Sequence, residues 1–363
     1  MKIYYIGSEV KEIRSGGDKY LSEMLQGLAQ NCDLEFWDIS VCDFGTVSFR
    51  LTWRIIFYVI KTNIWALKKF KKVNRSDVIL INSYYKQQFV LVPWIAKYFK
   101  GCKIILSVNA FYDHSRSSVF LNILDRVIMK LFLLPAGRVI ANSKATKEKI
   151  ERIGISPKKI KIVYPRLDLP PDLPDFFPQN NGLFHIIYVG YCTPFKEVDI
   201  LIRAMGILKT TPMFLHIVGE TDRYPLYFNR LLDLTKHLGL EGKVVFHGRL
   251  EGTELSVRYK NADIFVNACR GEGYGRVFIE AMHFGLPVIG ANQGGAKELI
   301  ADGINGFLFQ PGDAKDLANK MLILYKDANL CRKMGEEGVK KSRLANFSEN
   351  LGEQVLRIIE ELI

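Results

Sequence analysis

The sequence predicts an α/β protein with two doubly wound, Rossmann-like parallel sheets that face each other across a cleft. Short, apolar, β-rich runs alternate with amphipathic helical stretches in both halves of the chain, which is typical of parallel sheets with helices on both faces. A segment with five prolines in seventeen residues, 165–181, separates the halves, because proline fixes φ and removes a backbone donor. At 363 residues the chain is long enough for two domains of ordinary size.

The predicted elements follow one another in a regular order. The candidate strands of the two halves are 2–6, 77–82, 103–109 and 138–142, then 185–190, 214–219, 243–248, 263–268 and 287–291. Helical patterns lie between them, including a predicted core helix over 120–134, and the last segment is also helical. We therefore predict the following organisation: a first domain over 1–165, a linker over 166–181, a second domain over 182–345 and a C-terminal helix over 346–363.

The composition is that of a globular protein in a reducing compartment. Hydrophobic residues make up 48% of the chain, and the six cysteines are scattered without a CxxC pair. This pattern fits neither a disulfide framework nor a zinc site. The first residues already have the pattern of a strand, so we expect no signal peptide.

The net charge of +12 lies entirely in the first half of the chain. Residues 1–181 contain 28 Lys and Arg against 16 Asp and Glu, whereas residues 182–363 contain 22 of each. Within residues 50–75, aromatic side chains accompany a cationic stripe at helical spacing that consists of Arg50, Arg54, Lys61, Lys68 and Lys72. The stripe favours an anionic membrane surface or, equally, the solvated face of a helix that packs on the first sheet. A nucleic-acid surface is the weaker alternative, because no known motif accompanies the charge.

The most informative stretch is 271–300, where two glutamates flank a glycine-rich turn. Glu272 follows an apolar run that predicts a buried strand, and ligands bind at the carboxyl ends of strands in open α/β sheets. A helix is predicted over 276–284, so the N–H groups of Gly275, Arg276 and Val277 lie at its positive end. Such a helix start is a site for an anion such as phosphate.

Carboxylates beside a phosphate site are expected only if they accept hydrogen bonds from neutral hydroxyls. Glu280 lies one to two turns into the predicted helix, roughly 5–8 Å from its start at 1.5 Å per residue, which is near the reach of a ribose. Glu272 would accept from hexose hydroxyls. The stretch thus predicts a site for a sugar joined to a nucleoside diphosphate, although either glutamate taken alone is as consistent with a solvated charge.

Residues 271–300 resemble the donor-binding signature of retaining glycosyltransferases of the GT-B fold, glycosyltransferase family 4. The similarity extends over four further stretches, which are 141–168, 186–208, 244–268 and 302–321. Over residues 1–138 it is weaker. The resemblance implies a C-terminal helix that crosses back to the first domain. It also implies transfer of a hexosyl residue, with retained configuration, from a nucleoside diphosphate sugar such as a UDP-sugar. The acceptor would be a glycan or lipid-linked molecule in cell-surface polysaccharide or glycolipid synthesis.

The resemblance assigns the donor sugar to the signature loop. Glu272 would accept from hydroxyls of the transferred hexose, helped by the backbone of Gly273, Tyr274 and Gly275. Glu280 would bind the ribose. These assignments agree with the chemistry expected from the residues themselves.

The same resemblance assigns the diphosphate to positively charged groups. Lys196, in the loop after a strand, would hold the diphosphate with the helix start at Arg276 and Val277 and stabilise its departure. Tyr191 stands where the family usually has an arginine. Either Arg249 or Arg276 would then supply the second positive charge, or Lys196 would act more nearly alone.

The first domain offers a smaller set of candidates. Gly16 and Gly17 match the family's loop near the donor phosphate and the acceptor. Asn109 stands where many members have a histidine close to the transferred sugar, and it cannot carry a proton at neutral pH. Asp113 and His114 are the nearest titratable groups and the candidates for acceptor binding.

No metal and no other cofactor is expected, because lysine, arginine and the helix dipole can neutralise the diphosphate and the chain has no DxD motif. We expect a cytoplasmic protein that is either free or peripheral on the inner face of a membrane. Two alternatives remain open. One is a catalytically weak or inactive GT-B protein that binds a nucleotide sugar or serves as a partner subunit, and the other is a membrane-binding or polyanion-binding module.

Overall fold

The chain divides into two compact units. The computed structural model describes residues 2–7, 16–38, 64, 68–82, 91–108, 119–165, 167, 169, 182–346 and 350–363. The first unit spans 1–166 together with 348–363, and the second spans 167–347. Most of the proline-rich segment and most of residues 50–75 lie outside the described residues.

The first unit is built on a six-stranded parallel sheet in the order β2-β1-β3-β4-β5-β6. Its central strands β3 and β4 are mostly apolar and almost entirely buried, as expected for a sheet covered on both faces. The strands are β1 Ile3–Gly7, β2 Leu34–Asp38, β3 Val78–Asn82, β4 Lys103–Val108, β5 Arg138–Ala141 and β6 Ile160–Ile162. The helices are α1 Gly16–Asn31, α2 Val92–Ile95, α3 Val119–Leu133 and α4 Lys144–Arg152.

The second unit repeats this plan with the strand order β12-β11-β10-β7-β8-β9, again parallel. Its strands are β7 Phe184–Val189, β8 Met213–Val218, β9 Val244–Gly248, β10 Ile264–Asn267, β11 Val288–Ala291 and β12 Gly306–Phe309. Its helices are α5 Val198–Ile207, α6 Pro225–His237, α7 Gly252–Lys260, α8 Arg276–His283, α9 Gly294–Leu299, α10 Ala314–Lys326 and α11 Ala328–Asn346. The chain reverses its direction of winding between β7 and β10, so the carboxyl ends of these two strands form the switch point where ligands bind in such sheets.

The last helix, α12 Leu351–Glu360, packs against α1 and so completes the first unit. The two helices touch through glycines: a Cβ on Gly352 would lie 2.2 Å from the carbonyl carbon of Gly27. The side chain of Asn350 caps α12 by accepting from the N–H of Gly352 at 2.8 Å. The predicted return of the C-terminal helix to the first domain is confirmed.

Helix α3 differs from the core helix predicted over 120–134. Met129 and Phe132 are buried against the first sheet, but the opposite face carries exposed apolar side chains. Ile123 and Val127 on that face are 55% and 48% exposed. The helix is therefore amphipathic, and the prediction holds for one of its faces only. Among the described residues, no helix combines the length and the apolar character needed to cross a membrane.

Three histidines form a diagonal row across β7, β8 and β9. Nδ1 of His185 lies 3.0 Å from Nε2 of His216, and Nδ1 of His216 lies 3.0 Å from Nε2 of His247. Burial lowers the pKa of His216 to about 4, and the neighbouring histidines and Arg258 act in the same direction. The row is therefore neutral at physiological pH.

Candidate functional site

Two loops meet at the switch point of the second sheet. The first follows β7 and contains a single helical turn, Pro194–Lys196, directly before α5. The second follows β10 and leads through Gly275 into α8. Because β7 and β10 are neighbours in the sheet, their carboxyl ends bring the two loops together although they are far apart in sequence.

Lys196 and Glu272 form an ion pair between these loops. The Nζ of Lys196 donates to Oε2 of Glu272 at 2.6 Å. The lysine side chain is 26% exposed and the glutamate side chain 16%, so both are shielded from water yet still accessible. The two residues predicted to hold the diphosphate and the hexose thus lie in direct contact.

The start of α9 packs against the loop of Glu272 and donates a hydrogen bond to it. The N–H of Gly295 donates to the carbonyl oxygen of Glu272 at 2.9 Å. A Cβ on Gly294 would lie 2.5 Å from the same oxygen, and a Cβ on Gly295 would lie 2.1 Å from the carbonyl oxygen of Tyr274. The glycine pair therefore permits a close approach of two backbones that no other residue allows.

Helix α8 begins as predicted. Gly275 is its N-cap with φ +91°, a left-handed conformation that favours glycine, and the helix starts at Arg276. Arg276 is buried, and burial raises the pKa of Tyr274 to about 12, so its hydroxyl stays protonated. Val277 is half-buried in the first turn. The backbone N–H groups of this turn lie at the positive end of α8, where the sequence predicts an anion site.

Glu280 lies on the second turn of α8 and contacts a buried tyrosine. Its Oε2 accepts from the hydroxyl of Tyr259 at 3.3 Å. Burial raises the pKa of Tyr259 well above its usual value, so this hydroxyl is a permanent donor. Glu280 itself is half-buried.

The positively charged groups near Tyr191 differ from the expected arrangement. Arg249 is paired with Glu251 on its own loop, with its Nε 2.7 Å from a carboxylate oxygen. The guanidinium of Arg223 lies over the ring of Tyr191, 5.2 Å from its centroid. Arg223 was not among the predicted residues, because no helical or strand pattern marks its loop.

The remaining candidates belong to the first unit. Gly16 and Gly17 form the first turn of α1. Asn109, Asp113 and His114 lie outside the described residues, so their predicted roles stay predictions. Among the described residues, no cluster of His, Cys, Asp or Glu is arranged to ligate a metal.

The structure also shows a second ion pair that sequence reasoning missed. The guanidinium of Arg270 binds both carboxylate oxygens of Glu197, with Nε 2.9 Å from each and Nη2 2.5 Å from Oε1. Glu197 has φ +52° and is the one non-glycine residue with positive φ in the described part of the chain. An acidic residue after Lys196 was the available signal, but its partner could be identified only from the strand order.

Two family models match consecutive parts of the chain. The model described as Glycosyltransferase Family 4 matches residues 20–169, and the one described as Glycosyl transferases group 1 matches residues 173–341. Together they extend over most of the sequence.

Curated proteins with similar sequences include several that are glycosyltransferases by name and others that are named as synthases. The mannosylfructose-phosphate synthase of Agrobacterium fabrum is 28% identical over 231 residues, which cover 58% of this chain and 50% of that protein. A glycosyltransferase of Methanocaldococcus jannaschii is 33% identical over 194 residues, which cover 50% of this chain and 49% of that one. The chain spans about half the length of the curated relatives it matches.

Solved structures share the fold over the whole chain. The sucrose-phosphate synthase of Thermosynechococcus elongatus superposes with a TM-score of 0.77 at 19% identity, covering 100% of this chain and 99% of that one. An Anabaena protein crystallised with UDP and glucose gives a TM-score of 0.73 at 20% identity, covering 99% and 100%. At such identities the likeness shows the fold, and it confirms the predicted GT-B class.

Proposed function

This chain is a member of the glycosyl transferases of group 1, and on that premise we propose that it transfers a hexosyl residue from a nucleoside diphosphate sugar with retention of configuration. The acceptor we propose is a glycan or a lipid-linked molecule in polysaccharide or glycolipid synthesis. The observation that carries the proposal is the contact of Lys196 with Glu272 at the switch point of the second sheet.

The charges at this point suit a sugar diphosphate better than either part alone. Lys196 and the N–H groups that open α8 attract the diphosphate, whereas Glu272 repels it and attracts hydroxyls. A ligand with a phosphate end and a hydroxyl end satisfies both groups. On binding, Lys196 would exchange the carboxylate of Glu272 for the diphosphate, and Glu272 would turn its freed oxygen to the hexose.

The same charges suit the bond that breaks. When the bond between the anomeric carbon and the diphosphate oxygen opens, negative charge grows on the leaving group, and Lys196 with the dipole of α8 stabilises it. The acceptor hydroxyl forms the new bond to the anomeric carbon, and its proton passes to an oxygen of the departing diphosphate. The proposal needs no metal, because these groups supply the positive charge.

Glu280 and Tyr259 support the nucleoside end of the proposal. Glu280 lies eight residues after Glu272, on the second turn of the helix that would hold the diphosphate. Tyr259 donates to one carboxylate oxygen and so holds the side chain of Glu280 in place, and in the proposal this carboxylate accepts from a ribose hydroxyl. The Anabaena protein crystallised with UDP shares this fold, which supports a nucleotide as part of the ligand.

The exposed face of α3 supports contact with an anionic membrane, where a lipid-linked acceptor would reside. Ile123, Val127 and Leu131 are exposed at four-residue intervals, so they lie on one side of the helix. Arg126 and Lys130 flank them. Apolar side chains between cations are the pattern of a helix that lies in a lipid headgroup layer.

The donor site is tested by incubation with UDP-glucose, UDP-N-acetylglucosamine and GDP-mannose and measurement of the released nucleotide. We expect turnover with one donor, and a loss of at least about 10²-fold in Glu272→Ala with the fold retained. Glu337→Ala, which opens an exposed ion pair in α11, is the control and should match the unchanged chain. Saturable binding without turnover would favour the alternative of an inactive nucleotide-sugar-binding protein, and near-normal activity of Glu272→Ala would refute the site.

Flotation with vesicles that contain anionic lipid tests the membrane contact. Val127→Glu should reduce binding, and so should neutralisation of Lys68, Lys69, Lys71 and Lys72, since each basic residue contributes up to about 1 kcal/mol near such a surface. Leu226→Glu is the matched control, because Leu226 is an exposed leucine of the second unit. Equal vesicle binding of all variants would exclude membrane contact both through α3 and through the lysines of 68–72.

A further inference from the structure

The two loops at the switch point are joined by three successive contacts. Phe195, Lys196 and Glu197 each bond to the loop after β10: the Phe195 carbonyl accepts from Sγ of Cys269 at 3.3 Å, Lys196 binds Glu272, and Glu197 binds Arg270. Lys196 and Glu197 are adjacent and carry opposite charges, and each forms an ion pair with a residue of the loop after β10. The two ion pairs differ in burial, since the side chain of Glu197 is 4% exposed and that of Glu272 is 16% exposed.

Glu197 occupies a conformation that a glycine would adopt at lower cost. Its φ of +52° is in the left-handed region, where a side chain crowds the backbone. A buried carboxylate adds a second cost unless it is fully paired. Such a residue persists only where its surroundings hold it, and the fork of Arg270 does so through both oxygens.

We propose that the Glu197–Arg270 pair is a positioning device that fixes the backbone of Lys196 while the lysine changes partners. This inference rests on the proposed function, in which Lys196 leaves Glu272 for the diphosphate of the donor. When the Lys196–Glu272 contact opens, the more buried pair one residue away still joins the loops. The N–H of Ile200 donates to the carbonyl of Glu197 at 3.0 Å, so the pair also fixes the start of α5.

Glu197→Gly is the informative substitution, because it removes the ion pair and at the same time relieves the left-handed strain. If the pair has a purely structural role, the substitution should change the free energy of unfolding and leave the affinity for UDP unchanged. If the pair positions Lys196, the variant should bind a diphosphate more weakly. The measurement is a double-mutant cycle on UDP affinity by calorimetry, with the unchanged chain, Glu197→Gly, Lys196→Ala and the double variant. Arg270→Gln removes the same pair from the other side and serves as an independent second variant.

We expect Glu197→Gly to weaken UDP binding about tenfold where Lys196 is present and less than about twofold in the Lys196→Ala background, because a residue that acts through another is not additive with it. Arg270→Gln should behave in the same way, and Lys340→Ala, in an exposed ion pair of α11, should bind UDP normally. Equal losses in both backgrounds, or no loss in either, would overturn the positioning role. Absence of saturable binding of both UDP and GDP to the unchanged chain would instead overturn the proposed function.

Discussion

Replacement of Gly294 by alanine should disturb the loop of Glu272 through a single backbone contact. Gly294 has φ +62°, and a Cβ there would lie 2.5 Å from the carbonyl oxygen of Glu272. Contacts under 3.0 Å essentially never occur for a Cβ, and the obstacle is backbone rather than a flexible side chain. The loop of Glu272 must therefore move by about 0.5–1 Å, a shift for which a loss of activity on the order of 10²-fold is expected.

The effect on stability follows from two terms. An alanine in the left-handed region costs about 1–2 kcal/mol, and overpacking adds about 1–3 kcal/mol. Gly303→Ala separates these terms, because Gly303 has φ +78° and open space around it. Gly303→Ala should therefore be destabilised only by the cost of the left-handed conformation. The second unit contains residues 167–347, and for a domain of that size each 1 kcal/mol lowers the Tm by about 2–4 °C.

The assay compares both variants by thermal unfolding and by turnover of the accepted donor. Gly294→Ala should unfold at a lower temperature than Gly303→Ala by about 2–12 °C. It should also lose activity at temperatures where both are folded, while Gly303→Ala stays near the unchanged chain. Equal Tm values and equal activities for the two variants would refute the reasoning that this backbone contact positions Glu272.

Three further predictions concern single side chains. Tyr259→Phe removes the donor to Glu280, so we expect a loss of about 1 kcal/mol in the free energy of unfolding and weaker UDP binding by calorimetry; unchanged affinity would separate Glu280 from the ribose. Folding lowers the pKa of His216 from 6.5 to about 4. As the pH falls, this histidine therefore takes up a proton in the unfolded chain before it does so in the folded chain, and the stability present above pH 6.5 is lost towards pH 4. After allowance for its partial exposure, the lost stability amounts to about 1–2 kcal/mol. Urea unfolding at pH 7 and pH 4.5 should therefore show a difference in the free energy of unfolding that is smaller by this amount in His216→Gln than in the unchanged chain. Burial raises the pKa of Cys192 to about 12 and of Cys269 to about 11, so iodoacetamide at pH 7 should label neither thiol in the folded chain; rapid labelling seen by mass spectrometry would contradict their burial.

The sequence predicted the central strands because they are buried on both faces. A run such as VILIN in β3 is apolar at its first four positions and buried along its whole length, and no other kind of element of that length is expected to be so. The strands β2, β6 and β12 were not predicted, and all three lie at an edge of their sheet. Edge strands are short and partly solvated, so polar residues such as Lys161 interrupt them and the periodic signal is lost.

The site was predicted in its parts but not in its contacts. Glu272 and Lys196 each follow a predicted strand, which placed both at a carboxyl edge. Their direct contact depends on β7 lying next to β10, and sheet order is not encoded in any local pattern. The left-handed backbone conformation of Glu197 could not be predicted, because a glycine would have indicated such a conformation and a glutamate indicates the opposite.

The packing of α12 on α1 has a consequence for synthesis on the ribosome. Leu351, Val355, Ile358 and Ile359 join the core of the first unit, and burial of four such side chains is worth together about 6–12 kcal/mol as an upper estimate. That is comparable with the whole stability of a domain, about 5–15 kcal/mol. The 181 residues of 167–347 must be made before α12 emerges, which takes about 10–35 s at 5–20 residues per second. During that interval the first unit lacks α12 and exposes the apolar groove that α12 later fills. The second unit is complete at residue 347 and can fold before α12 is available.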